Sequence, residues 1–343
     1  EVTVQHRLDS GAYSYVHAGR FRGQPVAVKL PRLDGDDPAS SVETLWREIG
    51  VVSRMARHGG LCRVIATGSG PIPFLVLERL QPANLGSRLG TDQQQQPSGG
   101  TLSQRMKRTR LNKDNKHNLP LLERLRMANE VAKALCHLHE TAIGGSCVMH
   151  RDLKPANVGF AEDGTVRLFD FGLSTIMESR AFADEMYKLT GDTGSQRYCA
   201  PEVMLGRAYN EKADVYSFTL VVWEICTLKR PFAGFSAAYH RGKVTNGFYR
   251  PPLDKSWPRE LQNLFTSGWH SNPHVRPTAR AMSQRLSAII HALTPPPRRS
   301  SSGHAGSGGW IRRPRAMRAT AAAGRNCSGG SGGGARGSPR RGG

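Results

Sequence analysis

The stretch His150-Arg151-Asp152-Leu153-Lys154-Pro155-Ala156-Asn157 constrains this chain more than any other. A turn through Glu162-Asp163-Gly164 and a strand-like run from Val166 to Phe169 separate it from Asp170-Phe171-Gly172. The first segment fits H-R-D-L-x-x-x-N at every specified position and the second fits D-F-G. Solvated charges beside an Asp-Gly turn are common, but they do not reproduce two such patterns in this order and at this spacing.

On these two motifs the chain resembles the eukaryotic protein kinase family. The resemblance implies phosphoryl transfer from ATP, a reaction that needs positioning, an acceptor for the hydroxyl proton and positive charge around the moving phosphoryl group. It implies that Asp152 accepts or orients the proton of the attacking hydroxyl and that Lys154 reaches the γ-phosphate. Asn157 and Asp170 then supply hard oxygen ligands for Mg²⁺.

The N-terminal part can be set against that family. Val2-Thr3-Val4 reads as a strand, and Leu8 to Val16 resembles the glycine-rich loop G-x-G-x-x-G-x-V. Gly11 and Val16 agree, whereas Asp9 and Ser14 stand in the first and third glycine places. A carboxylate at position 9 would repel ATP if it pointed inward. Val26-Ala27-Val28-Lys29 fits V-A-I-K, so Lys29 is expected on the α- and β-phosphates, with Val16 and Ala27 enclosing adenine. Leu45, Ile49, Val52 and Met55 fall at helical spacing, which predicts a helix from Val42 to Arg57 capped by Ser41. Glu48 on that helix is the candidate partner of Lys29, with Glu43 as its rival. Strands are expected over residues 61–68 and 73–80. Leu77 would guard the pocket behind adenine, and the hinge Glu78-Arg79-Leu80 would bind the adenine edge.

Farther on, Leu121 to Glu140 is amphipathic with helical period. Cys136, His137, His139, Cys147 and His150 match no standard zinc spacing. Gly159 stands where the family carries a larger residue under adenine, which suggests a roomier pocket. The activation segment would run from Asp170 to Glu202. Arg151 could hold a phosphate there, with Thr190 and Thr193 as candidate phosphosites. Ser195 resembles the small hydroxyl residue that packs on the catalytic loop. Asp214 is expected to brace that loop, and Arg276 to pair with Glu202. Thr219 replaces the family's usual glycine, which would tighten packing. The last helix is expected from Thr278 to Leu293.

Charge is unevenly spread. The net charge is +21, yet residues 295–343 carry ten arginines and no Asp, Glu or Lys. Residues 92–118 combine Gln93 to Gln96 with a basic stretch that includes Lys107-Arg108-Thr109-Arg110. Low complexity and like charge oppose burial, so 91–118 is expected to be a disordered basic insertion and 294–343 a disordered tail. The tail could make weak, salt-sensitive contact with RNA or another polyanion. Six scattered cysteines suit a reducing compartment, hence the cytoplasm, with the nucleus as an alternative. No apolar run is long enough to span a membrane. A chain that begins at Glu1 in strand-like sequence suggests a fragment.

The expected fold is α+β and bilobal over residues 1–293. A small antiparallel-sheet lobe with one helix and the hinge (1–80) precedes a mainly helical lobe (119–293), with Mg²⁺ and ATP in the cleft. Lys154 and Pro155 suit kinases acting on serine or threonine of protein substrates. Tyr198-Cys199-Ala200-Pro201-Glu202 looks most like the tyrosine-kinase-like group of those kinases. A scaffold that no longer turns over ATP, and a nucleic-acid-associated protein, are the alternative readings.

Overall fold

Alternation along one strand sets the orientation of the N-terminal lobe. In β3 (Gln24–Pro31), Val26 and Val28 point to one face of the sheet, where they pack with Val76. Ala27 and Lys29 therefore point to the other face, toward the larger lobe. The computed structural model describes residues 1–68, 70–80, 101–111, 120–178, 185–191 and 194–295. β1 (Val2–Ser10), β2 (Ser14–Phe21), β3, β4 (Val64–Gly68) and β5 (Phe74–Glu78) form an antiparallel sheet in the order β1-β2-β3-β5-β4. Val16 pairs opposite Lys29 and Ala27 opposite Leu77. Opposed residues in such a ladder share a face, so Val16 and Lys29 look into the same space.

Helix α1 (Pro38–Val52) starts earlier and ends sooner than its apolar spacing predicts. The Asp37 side chain accepts the Ser40 N–H at 3.0 Å, and Pro38 follows in the first turn, where its missing N–H costs nothing. Asp37, not Ser41, is the cap. Leu45, Glu48, Ile49 and Val52 form the buried face.

Below the sheet, α3 (Leu121–Glu140) has the bounds its period predicts. It packs on α5 (Lys212–Thr227) and α8 (Ala279–Leu293). Val215, Phe218, Leu220, Val221 and Val222 of α5 are fully buried and its polar residues are buried with them, so this helix is enclosed on every side and forms the axis of the lobe. Two short antiparallel strand pairs follow α3. β6 (Ser146–Met149) pairs with β9 (Thr175–Glu178), and β7 (Val158–Phe160) with β8 (Val166–Leu168). Helices α4 (Pro201–Met204), α6 (Ala237–Thr245) and α7 (Arg259–Gly268) complete the lobe.

Within the segment expected to be a disordered insertion, residues 102–111 instead form helix α2 (Leu102–Leu111). Thr101 Oγ1 accepts the Gln104 N–H and Gln104 Oε1 accepts the Thr101 N–H, a reciprocal capping box. Leu102 and Met106 are buried in the main core, which offsets the basic character of the segment. The rest of 91–118, and residues 296–343 of the tail, lie outside the described residues. No described helix is long and apolar enough to cross a membrane.

Candidate active site

Lys29 is buried and makes two ion pairs. Its Nζ lies 2.6 Å from Glu48 Oε2 and 2.7 Å from Asp170 Oδ1. Burial opposes the ammonium charge, but the Glu48 and Asp170 carboxylates outweigh it and hold the Lys29 pKa above its ordinary value. Burial pushes the Glu48 carboxyl up, against the pull of Lys29. Asp170 is held below the carboxylate range because Lys29 overcomes the burial that would raise it. Glu48 Oε1 also accepts the Phe171 N–H at 3.2 Å, so α1 is tied to both the sheet and the Asp-Phe-Gly turn. Glu43 instead pairs with Arg47 on the exposed side of α1.

The loop from His150 to Asn157 is braced from beneath. Asp214, at the start of α5, accepts the His150 and Arg151 N–H groups, each at 2.8 Å, and the His139 ring at 3.0 Å. These donors overcome burial and keep its pKa low. They also hold Arg151 at φ +66°, a conformation costly for a non-glycine residue. The carboxylate of Asp152 is gripped on both oxygens. Oδ1 accepts the Ser195 N–H at 2.8 Å, while Oδ2 accepts Lys154 Nζ at 2.6 Å and Asn157 Nδ2 at 3.1 Å. Lys154 Nζ also reaches Ser195 Oγ at 2.9 Å. Gly194, at φ +84°, is required beside this contact, since a Cβ there would lie 2.5 Å from Arg151 O.

Asn157 Nδ2 is committed to Asp152, which leaves Oδ1 for a cation. Asp170 engages Lys29 through Oδ1 and keeps Oδ2. No group of three or more His, Cys, Asp or Glu among the described residues could hold a metal. A cation here would therefore take two protein oxygens and complete its shell from phosphates and water, the usual habit of Mg²⁺. The donor set fits that ion.

At the hinge the structure departs from simple expectation. The space beside Gly159 is filled, because a Cβ there would lie 2.6 Å from Leu80 Cδ1 and 3.2 Å from Phe169 Cε1. The roomier pocket is thus closed by Leu80. The Glu78 side chain leaves the hinge on its reverse side, where Oε1 accepts the Arg63 N–H at 2.7 Å and Arg167 Nε at 3.2 Å. Its backbone N–H donates to Arg63 O at 2.9 Å, so of Glu78 only the backbone carbonyl is left for an adenine edge. In the loop between β1 and β2, the Gly11 N–H donates to Ser14 O at 2.8 Å. Asp9 sits opposite Val16, and its Oδ1 accepts the Ser10 N–H at 2.8 Å.

In the activation segment, Arg151 Nη2 donates to Thr190 O at 2.8 Å and Thr190 Oγ1 at 2.5 Å, and Tyr209 Oη donates to Thr190 O at 3.0 Å. Thr193 lies outside the described residues. Glu202 makes a two-pronged pair with Arg276, at 2.6 and 2.8 Å, under this segment. Sequence reasoning missed His139 as a buried support of Asp214. Its place on the inner face of α3, four residues after Leu135, was the available signal.

A cleft with one buried lysine, a cation-binding oxygen pair and a fixed carboxylate is suited to handling phosphate esters, as in two-lobed phosphotransferases. Comparison with known proteins narrows that class. The family model described as protein tyrosine and serine/threonine kinase matches residues 2–286, and the chain belongs to that family. A probable serine/threonine-protein kinase of Dictyostelium discoideum is 27% identical over 289 residues, covering 84% of this chain and 28% of the relative. Dual specificity protein kinase shkA of the same organism is 30% identical over 291 residues, covering 84% of this chain and 50% of the relative. Serine/threonine-protein kinase CTR1 of Arabidopsis thaliana is 27% identical over 300 residues, covering 88% of this chain and 33% of the relative. The chain spans half or less of the length of these curated relatives.

Proposed function

We propose that the chain is the catalytic domain of an ATP-dependent protein serine/threonine kinase that moves the γ-phosphoryl group of Mg·ATP to a protein hydroxyl. One observation carries this reading: Asp152 is gripped by Ser195, Lys154 and Asn157 while the Lys29–Glu48 pair is closed. In this reading Lys29 holds the α- and β-phosphates, and Val16, Ala27 and Leu80 enclose adenine. The Glu78 carbonyl and the Leu80 backbone meet the adenine edge, and Gly11 lies over the phosphates. Asn157 and Asp170 hold Mg²⁺, which when bound neutralises charge on the phosphates. Asp152 orients the incoming hydroxyl and takes its proton. Lys154, bridging Asp152 and Ser195, carries positive charge to the transferring group and supports serine or threonine as acceptor.

A phosphate on Thr190 would place a dianion against Arg151 and fix the segment that carries Ser195, which supports activation by phosphorylation and a signalling role. Thr193 is the second candidate. The five described cysteines are free thiols, which supports the cytoplasm or nucleus as the compartment. The arginines of 295–343 would add weak polyanion contact. Unchanged RNA retention at low salt after deleting that segment would remove this part of the reading.

A second reading, a scaffold that holds nucleotide without turnover, draws on Asp9, which pairs opposite Val16 in the sheet. Transfer of labelled γ-phosphate from Mg·ATP to a generic basic protein and to the chain itself separates the two. Phosphoserine or phosphothreonine from wild type, absent in Asp152→Asn and Asp170→Ala, is expected. No transfer even after treatment with activating kinases would favour the scaffold.

A further inference from the structure

A cavity of about 550 Å³ opens behind the hinge, between the end of α1, the connection to β4, the end of β5 and β8. Its floor is apolar, with Val52, Leu61, Cys62 and Val64. Its rim holds three guanidinium groups, Arg57, Arg63 and Arg167, against one carboxylate, Glu78. Glu78 and Arg167 already pair with each other, and Arg167 also donates to Gly59 O and Thr165 Oγ1. Arg57 and Arg63 differ. Both are exposed, and neither guanidinium has a hydrogen-bond or ion-pair partner among the described residues. His58 completes the rim. Its Nδ1 accepts the Gly60 N–H at 3.0 Å, which places the ring proton of the neutral imidazole on Nε2 as a further donor. Burial, then His137 and Arg167, lower the His58 pKa and keep that ring neutral.

We infer that this cavity binds a small organic phosphate, with the phosphate on Arg57 and Arg63 and an apolar or aromatic body on Val52, Leu61 and Val64. Two guanidinium charges without a counter-ion among the described residues match a phosphate dianion, whereas a single carboxylate would leave one unneutralised. The planar guanidinium donors suit phosphate oxygens in paired hydrogen bonds. The volume exceeds what inorganic phosphate fills, and the apolar floor asks for a carbon body. The site is separate from the nucleotide cleft, since it lies on the side of the hinge to which the Glu78 carboxylate turns.

The same aryl phosphate chemistry is offered by a free small molecule and by a phosphotyrosine side chain. The test uses the full chain with its nucleotide cleft filled by Mg·ADP, and phenyl phosphate as probe in calorimetry and ligand-observed NMR. Phenol, inorganic phosphate and a phosphotyrosine tetrapeptide are the comparators. Phenyl phosphate is expected to bind, and to bind about tenfold or more weakly to the double variant Arg57→Gln/Arg63→Gln. Both side chains are exposed, so the variant's unfolding temperature should stay that of the wild type. Phenol and inorganic phosphate should each bind more weakly than phenyl phosphate. Tetrapeptide binding as tight as phenyl phosphate would assign the site to a phosphorylated partner, and its exclusion to a free phosphate. Undetectable binding, equal binding by the double variant, equal binding of phenol, or displacement by added ADP would overturn the site. None of these readouts requires kinase activity.

Discussion

Thr219 of α5 occupies the space that a side chain at Gly268 of α7 would need. A Cβ at Gly268 would lie 2.2 Å from Thr219 Oγ1 and 2.9 Å from Met282 Cε. The threonine cannot swing away, because it is fully buried and its hydroxyl donates to Val215 O at 2.7 Å. Ordinary helix propensity favours alanine over glycine by about 1 kcal/mol, but overpacking a closed core costs roughly 1–3 kcal/mol. Gly268→Ala should therefore destabilise the chain, and adding Thr219→Gly should recover part of the loss. Urea unfolding of the two single variants and the double variant measures the coupling, and strict additivity would contradict the contact.

Glu48 and Glu43 lie on one helix but in opposite surroundings. Glu48 is buried against Lys29 and the Phe171 N–H, while Glu43 is exposed beside Arg47. Glutamine keeps one acceptor oxygen where the carboxylate uses two, so it can serve Lys29 or the Phe171 N–H but not both, and the ion pair is lost. Glu48→Gln should lower kcat/KM on the order of a hundredfold, the scale of an ångström-level misplacement. Glu43→Gln should change it less than about twofold, as expected of an exposed pair. Equal effects on peptide phosphorylation would refute the distinction.

Asp9 sits opposite Val16, where the family carries glycine, and shares the sheet face that carries Lys29. Asp9→Asn keeps the side-chain acceptor for the Ser10 N–H but removes the charge. KM for Mg·ATP should fall several-fold with kcat little changed. The gain should shrink as salt rises, since an exposed charge is screened. A steady-state series at low and high ionic strength decides it, and an unchanged KM would show that Asp9 does not sense the nucleotide.

His240 stands buried in α6 with its ring edge-on to Phe232 at 4.4 Å and no hydrogen-bond partner on either nitrogen among the described residues. Burial, then the nearby Arg197, lowers its pKa from 6.5 to about 4. The folded chain thus holds the ring neutral where the unfolded chain protonates it. Its contribution to stability is complete above pH 6.5 and is lost as pH falls toward 4. Unfolding temperature should drop between pH 7.5 and 5, and the drop should be smaller by a few degrees in His240→Leu. The same slope in both proteins would remove His240 as the cause.

Much of the fold was legible because local pattern and global packing agree. The period of Leu121 to Glu140 set α3, and alternation in Val26 to Lys29 turned the lysine inward. The start of α1 was misplaced because the apolar stripe begins a turn later than the Asp37-Pro38 cap. Helix α2 was hidden by its charge. Its Thr101-x-x-Gln104 box was present in the sequence, but composition outweighed it. The orientation of the Glu78 carboxylate and the support of Asp214 by His139 join residues 89 and 75 positions apart. Spacing along the chain carries no record of such meetings.

The packing of Leu80 over Gly159 puts the bulk under the base on the hinge segment. In most such sites the surface under the base would be fixed to the larger lobe. Here the bulk comes from the hinge and rests on a residue with no side chain. A tilt between the lobes would therefore slide Leu80 across a smooth backbone, so the depth of the cleft would change as it opens. Flat competitors of the nucleotide should then discriminate between open and closed forms by thickness rather than by hydrogen-bond pattern.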